Sequence, residues 1–401
     1  MDLNFIKELT KKAETKVVLL LVDGIGGLPK TAGGKTELET AKTPNLDKLA
    51  AEGICGLHVP VGAGVTPGSG PAHLGVFGYD ACKYFVGRGV LAALGIGFDL
   101  HEGDVAARGN FCTVDDAGVI TDRRAGRIAT EKNQALCAEL SKITLSGAEV
   151  FVETVKEHRF LLVLRGKGLS GEVSETDPNK EGNPPREPVG ETPDAEKTAA
   201  LVKEFAEKAK TVLADHHPAN MVLLRGFSQK PDWPTFGEVF GVRAAGIASY
   251  PMYRGLGKLI GMDVLETGTT LEDEFATLAE RWDDFDFFYV HVKPTDSAGE
   301  DGDFDRKVAK IEAVDALVPR LMKLAPDVLV VTGDHSTPAV LKSHSWHPVP
   351  TLIWSAYCRC DGVTSFGEKA CITGGLGPRI PAVELMPIAM ANALRLDKYG
   401  A

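Results

Sequence analysis

Apolar residues in this chain gather into short unbroken runs, and chemically competent polar residues sit at the ends of those runs. Lys16 to Val22 is apolar after its first residue. It is too short for a membrane span of about 20 residues and lacks the alternation of a half-exposed strand. It therefore predicts a strand buried on both faces of a parallel sheet. Asp23-Gly24-Ile25-Gly26-Gly27 follows at once. Phe285 to Val292 has the same form and ends at Lys293-Pro294-Thr295-Asp296. Val328 to Thr332 ends at Gly333-Asp334-His335, and Val349 to Trp354 begins just after His344. Open α/β sheets bind ligands at the carboxyl ends of their strands. Three runs carry acidic or imidazole residues past that end, and the fourth carries them before its start. The pattern predicts one metal-binding edge on one sheet. Thr43-Pro44-Asn45 predicts a helix start with proline in the first turn.

The middle of the chain reads differently. Arg108 to Val114, Phe160 to Arg165 and Met221 to Arg225 predict further strands, and Asp122 to Arg127 a basic turn or helix start. Ala195 to Ala214 has helical periodicity, whereas Glu172 to Pro188, rich in Pro, Gly, Asp, Glu and Asn, predicts a long exposed loop. Length agrees with about two domains, since 401 residues exceed the roughly 100–200 of one domain. We read residues 102–232 as an inserted domain and residues 1–101 with 233–401 as the metal-binding domain.

Composition narrows the class. Hydrophobic residues make up 44% and charged residues 25%, as in ordinary globular chains. The formal net charge of −11 disfavours nucleic acid and anionic membrane as partners. It leaves room for a small anionic substrate, because arginines and metal ions can reverse the field inside a cleft. The seven cysteines are odd in number, and Cys358 and Cys360 form a C-x-C without a second pair. Reduced buried thiols are expected rather than a disulfide framework. The N-terminus lacks an apolar signal core, so a cytoplasmic protein is expected; an oligomer is compatible with the sequence.

Asp23, Ser69, Asp296, Glu300, Asp334, His335 and His344 are all competent ligands for Zn²⁺ or Mn²⁺. Two ions held roughly 4 Å apart need about this many. Each residue alone has a plainer reading: Asp23 as a cap or turn former, Asp334-His335 as a loop pair, His344 and His347 as structural. Their combination and order carry the signal. Ser69 lies within Gly64 to Gly75, where glycines let backbone N–H groups approach an anion. Ala72 to Phe77 predicts a helix, which would place Ser69 near a helix N-terminus that favours phosphate. A plain Gly/Ser/Pro loop is the alternative. The G-x-x-x-x-G-K-[ST] phosphate loop is absent, which disfavours a nucleoside-triphosphate hydrolase.

Several long blocks, in order, resemble the archaeal-type cofactor-independent phosphoglycerate mutases. They are VDGIGGLP with ELETAKTPNLDKLAAEG, TPGSGPAHLGVFGYD, ARGNFCTVDDAGVITDRRAGRI, YPMYRGLGKLIGMDV, VHVKPTDSAGEDGD, VTGDHSTP and KSHSWHPVP. The resemblance implies an α/β fold with an alkaline-phosphatase-like mixed or mostly parallel sheet flanked by helices, plus a smaller inserted α+β domain. It implies two divalent metal ions (Mn²⁺ or Zn²⁺, with Mg²⁺ or Co²⁺ as further options) and no bisphosphoglycerate. Ser69 would be the phosphorylated nucleophile, sharing one ion with Asp23, Asp334 and His335. Asp296 and His344 would hold the other. Where the family carries histidine four positions after that aspartate, this chain has Glu300. A carboxylate there shifts preference toward harder ions. It leaves open a working variant site, a weakened second ion or a changed activity, with His347 as a compensating ligand.

A phosphoglycerate carries a phosphate and a carboxylate, and arginine forks suit both. By resemblance Arg108, Arg124, Arg127 and Arg225 grip it, with His158, Arg254 and Lys293 as further substrate-binding candidates and Arg123 as a solvated neighbour. The implied reaction has two transfers, from substrate to Ser69 and back to the other hydroxyl. Water is excluded in the interval by a closing insert hinged near 99–104 and 230–236. A phosphate-ester or phosphonate hydrolase on the same scaffold is one alternative, and a metal-depleted binding protein is another.

Overall fold

In the computed structural model Val17–Val22 forms strand β1, and all six of its residues are buried. An unbroken apolar run demands such a place, covered on both faces. The structure describes residues 2–400. After β1 comes β2 (Ile54–Val59); then β3 (Val105–Val114), β4 (Ile120–Asp122), β5 (Glu149–Lys156), β6 (Arg159–Arg165) and β7 (Met221–Ser228). The strands β8 (Ala244–Ile247), β9 (Asp263–Val264), β10 (Phe287–Val292), β11 (Val328–Thr332), β12 (Val349–Ser355) and β13 (Gly377–Pro381) complete the order. Between them run helices α1 (Ser69–Val76), α2 (Arg88–Ile96), α3 (Pro193–Leu213), α4 (Pro294–Glu300) and α5 (Phe304–Met322).

The chain divides into two compact units. One is built from the segments up to Phe85 and from Trp233 onward; the other is Val86–Asp232. The first holds an eight-stranded mixed sheet ordered β13-β2-β12-β11-β1-β10-β8-β9. β1 runs parallel to β10 and β11, with Val22 opposite Val292 and Leu21 opposite Thr332. Their carboxyl ends therefore finish level. β12 is antiparallel to β11, so its start lies at that same edge, and this is why His344 precedes its strand. β2 is antiparallel to β12, so its end returns there and the chain leads on toward Ser69. Val18, Leu20, Val290, Leu329 and Val331 share one core with the covering helices. Each buried side chain of this size contributes about 1.5–3 kcal/mol.

The second unit holds an antiparallel sheet, β4-β3-β6-β5, with β7 on the other side of β3. α3 packs its buried Ala199, Val202, Phe205 and Ala209 into that unit's core at helical spacing. At Gly109 an added Cβ would stand 2.1 Å from the Phe160 ring, so the sheet and this ring close only over glycine. α2 belongs to this unit, so the unit starts at Val86 and not at the 102 read from the sequence. The apolar helix shows no change of composition where the units divide. Among the described residues no helix is long and apolar enough to cross a membrane, and all seven cysteines are free.

Candidate metal centre

The sheet edge collects the predicted residues of the first unit. Asp23 follows β1 and its N–H donates to the Val292 carbonyl at 2.9 Å, which fixes it beside the end of β10. Asp296 stands in the first turn of α4, and Asp334 and His335 follow β11. All four are fully buried. α1 begins at Ser69 itself, three residues earlier than the helix read from sequence, so Ser69 opens the helix. Around His335 Nε2 lie Asp334 Oδ2 at 3.0 Å, Ser69 Oγ at 3.3 Å and Asp23 Oδ1 at 3.5 Å. A second group joins Asp296, His335 and His344, with His344 Nε2 3.6 Å from Asp296 Oδ1. Ligand atoms bound to one ion at roughly 2.0–2.2 Å lie at about these mutual spacings.

Hydrogen bonds fix how the two imidazoles are turned. Thr337 Oγ1 donates to the Asp296 carboxylate at 2.7 Å, so it accepts from His335 Nδ1–H at 2.9 Å. His335 Nε2 is left facing Asp23, Asp334 and Ser69, and would give up its proton to an ion bound there. His344 donates from Nδ1 to the Pro67 carbonyl at 2.9 Å, leaving its Nε2 bare toward Asp296. A metal-binding histidine is oriented in this way by the bond its other nitrogen makes. Asp23 Oδ1 and Asp334 Oδ2 are buried without a hydrogen-bond donor. A buried carboxylate oxygen in that condition is costly, and a divalent cation among these donors would offset the cost. The residues of the first group fit such an ion; in the second, His335 gives its Nδ1–H to Thr337, which leaves Asp296 and His344 as the facing donors.

The field at this edge is strongly negative. Burial pulls His335 down, but Asp334, Asp23 and Asp296 push it up to about 9. Burial and Asp334 push Asp23 up, and Lys293, His291 and His335 outweigh them to leave it below the usual carboxylate range. Asp334 is held lower still: burial raises it, but His335 and His73 dominate. The Lys293 ammonium bonds both Asp23 and Asp296 and donates to Tyr253 OH at 3.1 Å. It thus faces the carboxylates, while the sequence reading placed it toward substrate.

Several supporting residues escaped the sequence reading. Thr337 orients His335, His291 donates to Asp23 Oδ2 at 3.2 Å, and His73 lies against Ser69 and Asp334. Lys307 on α5 donates to the Gly26 and Thr337 carbonyls at 2.9 and 2.8 Å, pinning two of the ligand loops together. The available signals were weak: His73 four residues after Ser69, and His291 two before Lys293, on what reads as a buried strand.

Other predicted residues fall elsewhere. Glu300 is 53% exposed, with Oε1 3.8 Å from His344 Nε2, at the margin of the second group. His347 bonds Ser345 Oγ at 3.0 Å and stacks on Trp346, outside both groups. Arg254 donates to the Leu265 carbonyl at 3.1 Å and pairs with Glu266, so its fork is occupied.

In the second unit guanidinium groups surround the buried His158. Burial, then Arg159, Arg124, Arg108 and Arg127, push His158 down to about 3. Arg108 and Arg225 stand opposite one another on β3 and β7. Ala125, Gly126 and Arg127 all have positive φ, of 46°, 62° and 53°. Asp122 holds that turn by accepting from the Arg124 and Gly126 N–H groups at 2.7 and 2.6 Å. The two non-glycine residues store strain of about 1–3 kcal/mol each. Arg225 also pairs with Asp177 at 3.3 Å. Arg123, read as a solvated charge, instead grips the buried Asp177 with two bonds at 3.0 and 2.7 Å.

Residues 50–220 match the family model described as 2,3-bisphosphoglycerate-independent phosphoglycerate mutase. A relative from Aquifex aeolicus, described as "Probable 2,3-bisphosphoglycerate-independent phosphoglycerate mutase", is 50% identical over 100% of both chains. One of the same description from Thermotoga neapolitana is 52% identical, covering 99% of this chain and 98% of its own. A solved structure from Pyrococcus horikoshii covers 97% of this chain and 100% of its own, at 31% identity and a TM-score of 0.84. The cofactor-independent phosphoglycerate mutase from Thermoplasma acidophilum covers 94% and 100%, at 30% identity and a TM-score of 0.69. With half its residues shared along essentially its whole length, the chain belongs to the 2,3-bisphosphoglycerate-independent phosphoglycerate mutase family.

Proposed function

We propose that this chain interconverts 3-phosphoglycerate and 2-phosphoglycerate through a phosphoserine at Ser69. The supporting observation is the Ser69 hydroxyl, 3.3 Å from Nε2 of His335, at the start of α1 and among buried carboxylates. Asp23, Asp334, His335 and Ser69 would hold one divalent ion, and Asp296, His344 and Glu300 the other. Two bound ions would supply the positive charge that favours an ionised Ser69 and neutralises a phosphoryl group in transfer. Thr337 and the Pro67 carbonyl keep the two imidazoles turned toward that task. Lys293 balances Asp23 and Asp296, which would otherwise repel an anionic substrate. Arg108, Arg124, Arg127 and Arg225 supply the forks that a phosphate and a carboxylate need. The glycerate then returns the phosphoryl group to its other hydroxyl.

The test is incubation of the purified chain with 3-phosphoglycerate and Mn²⁺, followed by assays for 2-phosphoglycerate and free phosphate. The mutase reading expects 2-phosphoglycerate; free phosphate as the dominant product would make the chain a hydrolase, and no turnover with any divalent ion would make it a binding protein. Glu300→His with metal counting tests the second ion, and identical metal content in both forms would remove Glu300 from the ligand set.

A further inference from the structure

His73 is fully buried on α1, one helical turn after Ser69 and on the same face. Its Nδ1 lies 2.8 Å from the Ser69 carbonyl oxygen and 3.1 Å from Asp334 Oδ2. Both neighbours are acceptors, so the ring proton sits on Nδ1. Nε2 is then a bare nitrogen, buried without a partner. The ring itself is caged by aromatic neighbours, with Tyr253 at 4.9 Å, His291 at 5.4 Å and Tyr289 edge-on at 5.9 Å between centroids. His73 therefore has one orientation and one donor, aimed at the joint between two loops.

That joint needs a tie. α1 has no side-chain cap, and glycines stand on both sides of Ser69, at Gly68 and Gly70. The backbone that carries the hydroxyl is thus freer than an ordinary helix start. Asp334 lies on a separate loop after β11. We propose that His73 is a positioning residue: its Nδ1–H, bonded to the Ser69 carbonyl, also faces Asp334 Oδ2 at 3.1 Å, and this electrostatic contact between the first turn of α1 and the Asp334 carboxylate sets the spacing between the Ser69 hydroxyl and its neighbouring ligands. The role rests on Ser69 as nucleophile and Asp334 as ligand.

Two amide variants separate this role from simple packing. In His73→Asn the side-chain N–H₂ reaches the place of Nδ1, whereas in His73→Gln it reaches the place of Nε2. Mn²⁺ affinity is measured by titration of the full chain, kcat and KM with 3-phosphoglycerate, and folding by a thermal melt. The Asn variant is expected to keep Mn²⁺ affinity within about threefold of wild type. The Gln variant is expected to lose about 10–100-fold in Mn²⁺ affinity and kcat, with KM nearly unchanged. Equal Mn²⁺ affinity and kcat in the two variants would overturn the proposal. So would loss of a cooperative melt in both, which would make His73 a packing residue. A wild-type chain that neither binds Mn²⁺ nor turns over would refute the two-ion reading on which this one rests, and is told apart by its own titration.

Discussion

His335 and His158 are both buried imidazoles, and their surroundings drive them in opposite directions. Three carboxylates in the first unit push His335 up to about 9, while burial and four arginines in the second push His158 down to about 3. Around each ring the neighbouring charge is of one sign: carboxylates about His335 and guanidinium groups about His158. The difference teaches that the overall charge of −11 describes neither place. What each place can bind is set by the charge immediately around it.

The largest effect should come from Ser69→Ala. Turnover is expected to fall by roughly 10³-fold or more, with Mn²⁺ uptake partly kept through the remaining donors. Retained turnover would dissolve the link between the buried carboxylates and the chemistry. Removing metal comes next. At 100 times its dissociation constant, Mn²⁺ should stabilise the chain by about 2.7 kcal/mol against unfolding, read as a shift in a urea melt with and without chelator. Arg127→Ala should raise KM roughly 10–100-fold and leave metal content unchanged, a split that assigns the anion to the second unit. An equal loss of metal would merge the two sites.

His158 gives a pH test with a definite sign. Its folded value lies below the ordinary 6.5, so it stays neutral in the folded chain over a range where the unfolded chain takes up a proton. Its contribution is present above pH 6.5 and is lost as pH falls from there toward about 3. At pH 5.5 the loss should be about 1.4 kcal/mol, and His158→Gln should flatten that slope in denaturant melts. The smallest effect is expected from Arg254→Met, whose fork is already taken by Leu265 and Glu266. KM within about twofold of wild type, with at most about 1 kcal/mol of destabilisation, would remove Arg254 from the substrate set.

The legible part of the fold was the buried centre of the sheet. β1, β10 and β11 announce themselves because strands covered on both faces must be apolar without interruption. Their polar followers, Asp23, Asp296, Asp334 and His335, were legible for the same reason. β8 and β9, of four and two residues, are too short to carry a pattern, and the edge strand β13, Gly-Pro-Arg-Ile-Pro, has no apolar run. The start of α1 was misplaced because Gly68, Gly70 and Pro71 read as a loop. Histidine roles were the hardest to separate. His344 has its lone pair toward the carboxylates, while His291 and His73 turn N–H groups toward them, and only the carbonyl and carboxylate neighbours of each ring decide which. Arg123 and Asp177 are far apart in sequence, so their pairing left no local trace.

The central place of β1 has a cost during synthesis. Its partners β10 and β11 are supplied by the far end of the chain, and Asp23 must wait for His291 across 268 residues. At 5–20 residues per second the wait is roughly 10–60 s on the ribosome. For that interval the most apolar, β-prone six residues of the molecule have neither neighbour, while the whole of the second unit emerges and can fold behind them. The nascent chain is therefore expected to be at its most aggregation-prone before the eight-stranded sheet is complete, once the inserted segment has already been made.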